Sequence, residues 1–326
     1  MPSTTPVPKQ EEKTGVNWLT LIEKYRVLLI FIALCVVAGF LSDVFFTLSN
    51  VMNVLRQVSI IAIIASGMTL VILLAGIDLS VGAVMAFSGA ILAGALTAGW
   101  PLWIALLTAL AVGLLFGIFN GFFVARFGIP SFIVTLAVMV IARGMTLVYT
   151  KGYPLVVSHE GYRFIGSGRI FGIPVPIIIM FVIFGFMYWM LKYTSFGRYI
   201  FAIGGNEETA ILSGINVRAV KIAVFGIAGL LSALSAIIYT SRLMSAQPTA
   251  GNGIELDAIA AVIIGGTSLA GGKGTVTGTL IGALIMGVLD NVLNLMNVSP
   301  FYQSIAKGLV ILVAVLVDSK FSKIKK

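Results

Sequence analysis

The chain of 326 residues carries twelve carboxylates, one histidine and one cysteine. Nucleophilic, metal or acid–base chemistry needs such groups in convergent clusters, and a single imidazole and a single thiol give it almost nothing to work with. His159 lies in a polar loop, and Cys35 sits inside an apolar run, with no second cysteine to form a disulfide within the chain. The groups left to act are ionisable or amide side chains set in oily surroundings. Asp78 lies in LVILLAGIDLSVGAVMAF and Arg143 in VMVIARGMTLVYT. Glu255 and Asp257 open a short apolar run, with Gln247 and Asn252 just before it. Asp290, Asn291 and Asn294 interrupt the run Val276–Leu295. Such groups are costly to bury in lipid, so each needs a partner or a function.

Each has a structural and a functional reading. Gly76 breaks the helix before Asp78, so Asp78 can cap the next helix with help from Ser80, or face a pathway. Arg143 needs a carboxylate, backbone carbonyls or water, and Asp78 and Asp290 are candidate partners. Glu255 and Asp257 suit the positive end of a helix dipole, or a gate at an outer mouth shared with Gln247 and Asn252. Asp290 and Asn294 share a helix face, with Asn291 offset. The three can bind a polyhydroxylated solute or bind helices to each other.

The elements that position these groups are membrane segments. The chain is 59% hydrophobic and only 10% charged, with a mean hydropathy of +1.08, against about 25% charged residues in soluble domains. A span needs about 20 apolar residues. Ten segments follow: Val27–Leu41, Ile60–Ala75, Leu79–Leu96, Leu102–Ala125, Pro130–Tyr149, Val175–Leu191, Val220–Tyr239, Leu256–Ile264, Val276–Leu295 and Ile305–Val317. Leu256–Ile264 is too short to cross alone and reads as a half-helix buried in protein. The fold expected is an all-α polytopic membrane protein of about ten segments, some short or broken by glycine. One transmembrane domain, residues 27–319, lies between a polar tail, residues 1–26, and a basic tail, residues 320–326.

Of the 21 Lys and Arg residues, fourteen fall on the side of the N-terminus, five on the other side and two, Arg143 and Lys307, within segments. That asymmetry predicts both termini in the cytoplasm. It reads the net charge of +9 as topology rather than as a nucleic-acid surface. The longest outward loop, Lys151–Ile173, suits either a connection or a surface that meets something outside.

One cytoplasmic stretch stands apart: Gly204–Val217, GGNEETAILSGINV. Asn206 is a good N-cap, Glu207 and Glu208 favour the first turn, and Gly214 can take the left-handed conformation that ends a helix. Ala210, Ile211 and Leu212 offer a small apolar patch. A short helix displayed between membrane segments suits a protein driven by a soluble partner. The stretch Gly265–Thr275, GGTSLAGGKGT, is not a phosphate loop. Thr267 stands where glycine is required, and Gly274 where Ser or Thr is required. It reads as a tight cytoplasmic turn. GIDLSVG at Gly76–Gly82 echoes GTSLAGG at Gly266–Gly272, as paired broken helices do in many transporters.

Four stretches together carry a resemblance: GMTLVILLAGIDLSVGA, ARGMTLVYTKG, FGRYIFAIGGNEETAILSGINV, and SRLMSAQPTAGNGIELDAIAAVIIGGTSLAGGKGTVTGTLIGALI. From about Asn50 onward the chain resembles the permeases of bacterial ABC-type monosaccharide importers. The resemblance implies a multi-pass subunit of the bacterial inner membrane that catalyses no chemistry and binds no cofactor or metal. ATP and magnesium belong to a separate ABC ATPase. Other implied partners are a second copy of the permease and an extracytoplasmic sugar-binding protein. It makes Asn206, Glu207, Glu208, Ala210, Leu212, Ser213 and Gly214 the residues expected to couple to the ATPase. The sugar implied is ribose, with xylose, arabinose or a galactoside as alternatives. The composition leaves room for an ion-coupled carrier with an essential carboxylate such as Asp78 or Asp290. A lipid-modifying enzyme lacks the acid–base cluster it would need.

Overall fold

The computed structural model describes the backbone of residues 18–324 and the side chains of residues 25–316. Thirteen helices follow in order among the described residues: α1 (Trp18–Leu41), α2 (Leu48–Leu73), α3 (Val81–Thr97), α4 (Leu102–Phe127), α5 (Ser131–Thr150), α6 (Glu160–Ser167), α7 (Val175–Tyr193), α8 (Ser195–Gly205), α9 (Glu207–Leu212), α10 (Val217–Leu243), α11 (Ile254–Ile264), α12 (Val276–Leu295) and α13 (Pro300–Ile324). Four two-residue strands, β1 (Leu155–Val156), β2 (Arg169–Ile170), β3 (Ile173–Pro174) and β4 (Ser245–Ala246), pair as β1–β4 and β2–β3, both antiparallel.

Among the described residues six helices are long and apolar enough to cross a membrane: α2, α4, α5, α7, α10 and α12. Shorter apolar stretches of α1, α3 and α13 fall below that length, and α11 has eleven residues. The protein is a multi-pass helical bundle. Of the polar tail expected at residues 1–26, residues 1–17 lie outside the described part, and 18–26 already belong to α1. Residues 320–324 of the expected basic tail continue α13, and 325–326 lie outside the described part.

The bundle is organised around α2, in which every residue from Val58 to Leu73 is buried. A helix apolar on all sides belongs inside, and α2 packs against α7, α10, α11 and α12. The tightest pairing is α4 against α10. On α4 the buried stripe is Ala105, Ala109, Gly113, Gly117 and Gly121, spaced four apart. A methyl at Gly117 would overlap the Phe225 carbonyl and lie 2.9 Å from Gly226 Cα. Small residues at one helical spacing let two membrane helices touch backbone to backbone. The outer faces of α4, α5 and α13 expose Leu115, Val140 and Leu309 among others, as lipid- or subunit-facing helices do.

The loop Lys151–Ile173 is more structured than a plain connection. It forms β1, the amphipathic helix α6 and the β2–β3 hairpin. His159 caps α6 by accepting from Tyr162 N at 3.2 Å, and fully buried Tyr162 donates to the Ile237 carbonyl at 3.0 Å.

Candidate functional site

Two ends of the bundle can be told apart. One carries Leu73 at the end of α2, the other Asn50 at its start. At the Leu73 end, α8 and α9 meet at Asn206, which closes one helix and caps the next. Its side chain accepts from Thr209 N at 2.9 Å. Gly214 ends α9 at φ +80°, and Ile215 N returns to the Ala210 carbonyl at 3.1 Å, the αL closure its position predicted. The apolar patch divides, however. Ala210 is buried, whereas Ile211 and Leu212 are 56% and 88% exposed. Ala210 therefore anchors α9 to the bundle. Asn206, Glu207, Glu208, Leu212, Ser213 and Gly214 remain on the surface. Glu207 also receives Lys221 of α10 at 2.7 and 2.8 Å, which fixes the helix's tilt from its other side.

The segment that leads into α9 is keyed to the bundle through glycines. Gly272 N, in the α11–α12 turn, donates to the Leu73 carbonyl at 3.0 Å. A methyl on Gly204 would overlap that carbonyl and lie 2.7 Å from Gly272 N, whereas one on adjacent Gly205 would meet nothing. Gly265–Thr275 is thus a tight turn, with Gly266, Gly271 and Gly272 at positive φ. The two echoed stretches, Gly76–Gly82 and Gly266–Gly272, both begin in breaks between helices.

Asp78 lies in the first of those breaks and is 1% exposed. Its Oδ1 accepts from Ser80 N at 2.8 Å and Ser80 Oγ at 2.6 Å. Ser80, not Asp78, holds the N-cap position of α3; Asp78 steadies the cap from two residues before. Asn120 of α4 donates to Ser80 Oγ at 2.8 Å. Ser131 and Thr135 of α5 accept from Ile77 N at 2.9 Å and Leu79 N at 3.0 Å. Unwound backbone in lipid must find such partners in protein. Asn120, a lone amide in LLFGIFNGFFV, was a legible signal that the sequence reading passed over.

Arg143 pairs with neither Asp78 nor Asp290. Its Nη1 donates to the Pro248 carbonyl at 3.2 Å and the Ala250 carbonyl at 2.8 Å. Those carbonyls belong to a non-helical strap between α10 and α11 that also holds Gln247 and Asn252. Gln247 Nε2 donates to Ser245 Oγ at 3.2 Å, and Glu255 Oε1 accepts from Gly253 N at 3.2 Å. The strap runs lengthwise along α3. Ala246 packs with Leu92 and Ala93 of α3, while Gly251 abuts Gly82 in its first turn. Between those contacts the strap runs along about ten residues of α3, roughly 15 Å.

Asp257 does more than serve a helix start. Lys307 Nζ lies 3.0 Å from Asp257 Oδ2 and 2.9 Å from Asp290 Oδ2, joining α11, α12 and α13. Asn291 exchanges amide hydrogen bonds of 2.9 and 2.8 Å with Asn50 of α2, and Asn294 accepts from Gln303 at 2.9 Å. The face assignment on α12 holds: Asp290 and Asn294 turn to α13, and Asn291 to α2. These groups tie helices together. Among the described residues no cluster of three or more His, Cys, Asp or Glu could hold a metal. A cavity of about 450 Å³ between α1, α11, α12 and α13 is walled by Val27, Ile30, Ile263 and Leu309 with Arg26 at its rim. It is too apolar to be the site of solute chemistry.

Comparison with known proteins fits this geometry. The chain is 52% identical over 296 residues to the ribose import permease of Haemophilus influenzae, covering 89% of this chain and 92% of that one. It is 47% identical over 315 residues to the ribose import permease of Bacillus subtilis, covering 96% and 98%. The xylose transport system permease of Escherichia coli is 39% identical, covering 83% and 84%. No solved structure matches. Residues 50–315 match the family model described as branched-chain amino acid transport system / permease component. The match spans most of the chain, including α9 and the strap, and the chain belongs to that family of membrane permeases.

Proposed function

We propose that the chain is the membrane permease subunit of an ATP-driven importer that carries ribose into the cytoplasm. The observation that carries this reading is near full-length identity of 47–52% to ribose import permeases of Haemophilus and Bacillus. The family's description names amino acids, but it spans many solutes. The relative named for xylose stands further off at 39%, which favours ribose over other pentoses. The chain is a transport component and not an enzyme.

Ten segments cross the bacterial inner membrane: the six long helices, the apolar stretches of α1, α3 and α13, and α11 with the strap completing its span. Both termini and α9 then face the cytoplasm, as the basic residues favour. Two copies form the pathway. An ABC ATPase holding ATP and magnesium docks on α9, and an extracytoplasmic binding protein delivers the sugar to the other side. The residues bet on for docking are Asn206, Glu207, Glu208, Leu212, Ser213 and Gly214, with Ala210 as the anchor beneath them. A bare leucine at the tip of a charged surface helix favours this role, since an exposed apolar tip gains most from being covered. Closure of the ATPase moves α9, and the bundle passes from outward to inward access. Arg143, Gln247 and Glu255 border the pathway. Asp78, Asp257, Asp290, Asn291 and Asn294 hold the helices that form it.

The test is uptake of labelled pentoses and hexoses by vesicles holding the permease, with and without the ATPase and binding protein. ATP-dependent ribose uptake that requires all three is expected. Uptake by the permease alone would replace this reading with an ion-coupled carrier. Uptake of another sugar but not ribose would keep the importer and change its solute.

A further inference from the structure

The strap from Ser245 to Gly253 is non-helical backbone between two helices of the bundle interior, and its depth can be read on two rulers. Along α3, it passes from Ala93 to Gly82. Along α5, it meets Arg143, twelve residues and about 18 Å from that helix's start. The second places its lower half near the middle of a hydrocarbon layer about 30 Å thick. Irregular backbone at that depth persists only where protein buries it or where it lines a watery space.

The strap does both, one on each side. Ser245, Ala246, Pro248 and Ala250 are buried against the bundle, and Arg143 holds two of its carbonyls. Thr249 and Asn252 point the other way and are exposed. Among the described residues neither side chain has a hydrogen-bond partner. The space beside Asn252 is open, since a methyl at adjacent Gly253 would meet no atom within 4 Å. A hydroxyl and an amide shown at mid-depth to an open face are expensive against lipid.

We propose that the exposed edge of this strap is a contact site for a neutral, polyhydroxylated solute, with Thr249 and Asn252 supplying hydrogen bonds. The proposal rests on the sugar-permease reading and adds the residues that meet the solute. A hydroxyl that both donates and accepts, beside an amide with two donors and an acceptor, matches sugar hydroxyls of either polarity without charge. Two such bonds are few, as passage requires weak holding. Arg143 is a positioning residue here: its Nη1 donates to two of the strap's carbonyls, which keeps the edge in place.

The assay uses the complete transporter in vesicles, measuring ribose uptake and binding-protein-stimulated ATP hydrolysis together. Asn252→Ala combined with Thr249→Val is expected to cut ribose moved per ATP hydrolysed at least tenfold while hydrolysis continues. Ribose carried per ATP at the wild-type ratio by the double variant overturns the proposal. As a measurement that needs no impaired variant, Thr249→Cys and Asn252→Cys are placed singly in a Cys35→Ala background. They are treated with a small water-soluble thiol reagent. Labelling in at least one nucleotide state is expected, slowed by ribose-loaded binding protein; no labelling in any state overturns the proposal. Absence of ribose uptake by the unmodified transporter would instead refute the sugar reading, independently of the labelling.

Discussion

Lys307 is the only cation in contact with Asp257 and Asp290 among the described ion pairs, which makes its removal a sharp perturbation. The three side chains are 23%, 14% and 8% exposed, so water screens them only in part. Lys307→Met leaves two carboxylates whose near oxygens are no more than about 6 Å apart. At an effective dielectric of about 20, that repulsion is roughly 2.8 kcal/mol. Stranding buried partners by deleting one member of such a group costs about 3–5 kcal/mol, and the same range is expected here. Asp257→Asn behaves differently, because it relieves the excess negative charge and leaves the Lys307–Asp290 pair in place. Its cost should stay within about 1 kcal/mol, the scale of one net hydrogen bond. The triple variant Lys307→Met, Asp257→Asn, Asp290→Asn has no charge to strand and should recover most of the loss, since neutral replacements of buried ion pairs are often tolerated. Reversible unfolding in mixed micelles with rising dodecyl sulfate, followed by near-UV circular dichroism, measures all three. A triple variant no more stable than Lys307→Met would refute the electrostatic account, as would an Asp257→Asn that costs as much as the loss of the lysine.

Gly117→Ala should destabilise the same bundle by about 1–3 kcal/mol through overpacking against Phe225 and Gly226. Gly185→Ala on α7, with no atom near the added methyl, should be neutral or gain up to about 1 kcal/mol of helix propensity; the same unfolding assay reads both. Gly204→Ala should lower uptake per ATP by prising α8 and α9 from Leu73 and Gly272, and Gly205→Ala should transport like the wild type. Leu212→Asp should reduce ATPase co-purification at least tenfold without changing membrane insertion, and unchanged co-purification would show that α9 docks nothing through its tip.

What was legible in the sequence was local. The caps and the αL ending of α9 depend on residues within one or two turns, so Asn206 and Gly214 could be read directly. The break at Gly76 and the shortness of α11 were equally plain. What escaped depends on register between distant helices. Nothing near Arg143 in the chain announces that its partners are carbonyls more than a hundred residues on, and the two aspartates first considered are engaged by Ser80 and Lys307. Lys307 was visible as a charge inside an apolar run, but its two partners come from helices that meet it only in the fold. The helix α6 was missed because eight residues in a polar loop give too little periodicity to distinguish a helix from a turn.

The breaks in the bundle share one design. At residues 74–80, 244–253 and 265–275 the helix is given up, and each time a neighbouring element supplies the lost hydrogen bonds: Ser131 and Thr135 for the first, Arg143 for the second, Leu73 for the third. A continuous helix carries its own bonds and is stiff. A stretch whose bonds are lent by a neighbour can change conformation when that neighbour moves, without leaving bare peptide groups in lipid. The first and third breaks touch each other and the segment leading into α9; the second faces the open side of the bundle. A displacement that starts at α9 therefore reaches backbone able to yield at the first and third breaks, alongside α10, which Lys221 ties to Glu207 directly. A permease worked from outside the membrane requires such yielding backbone next to the driven helix, and it is there because neighbouring donors and acceptors hold it.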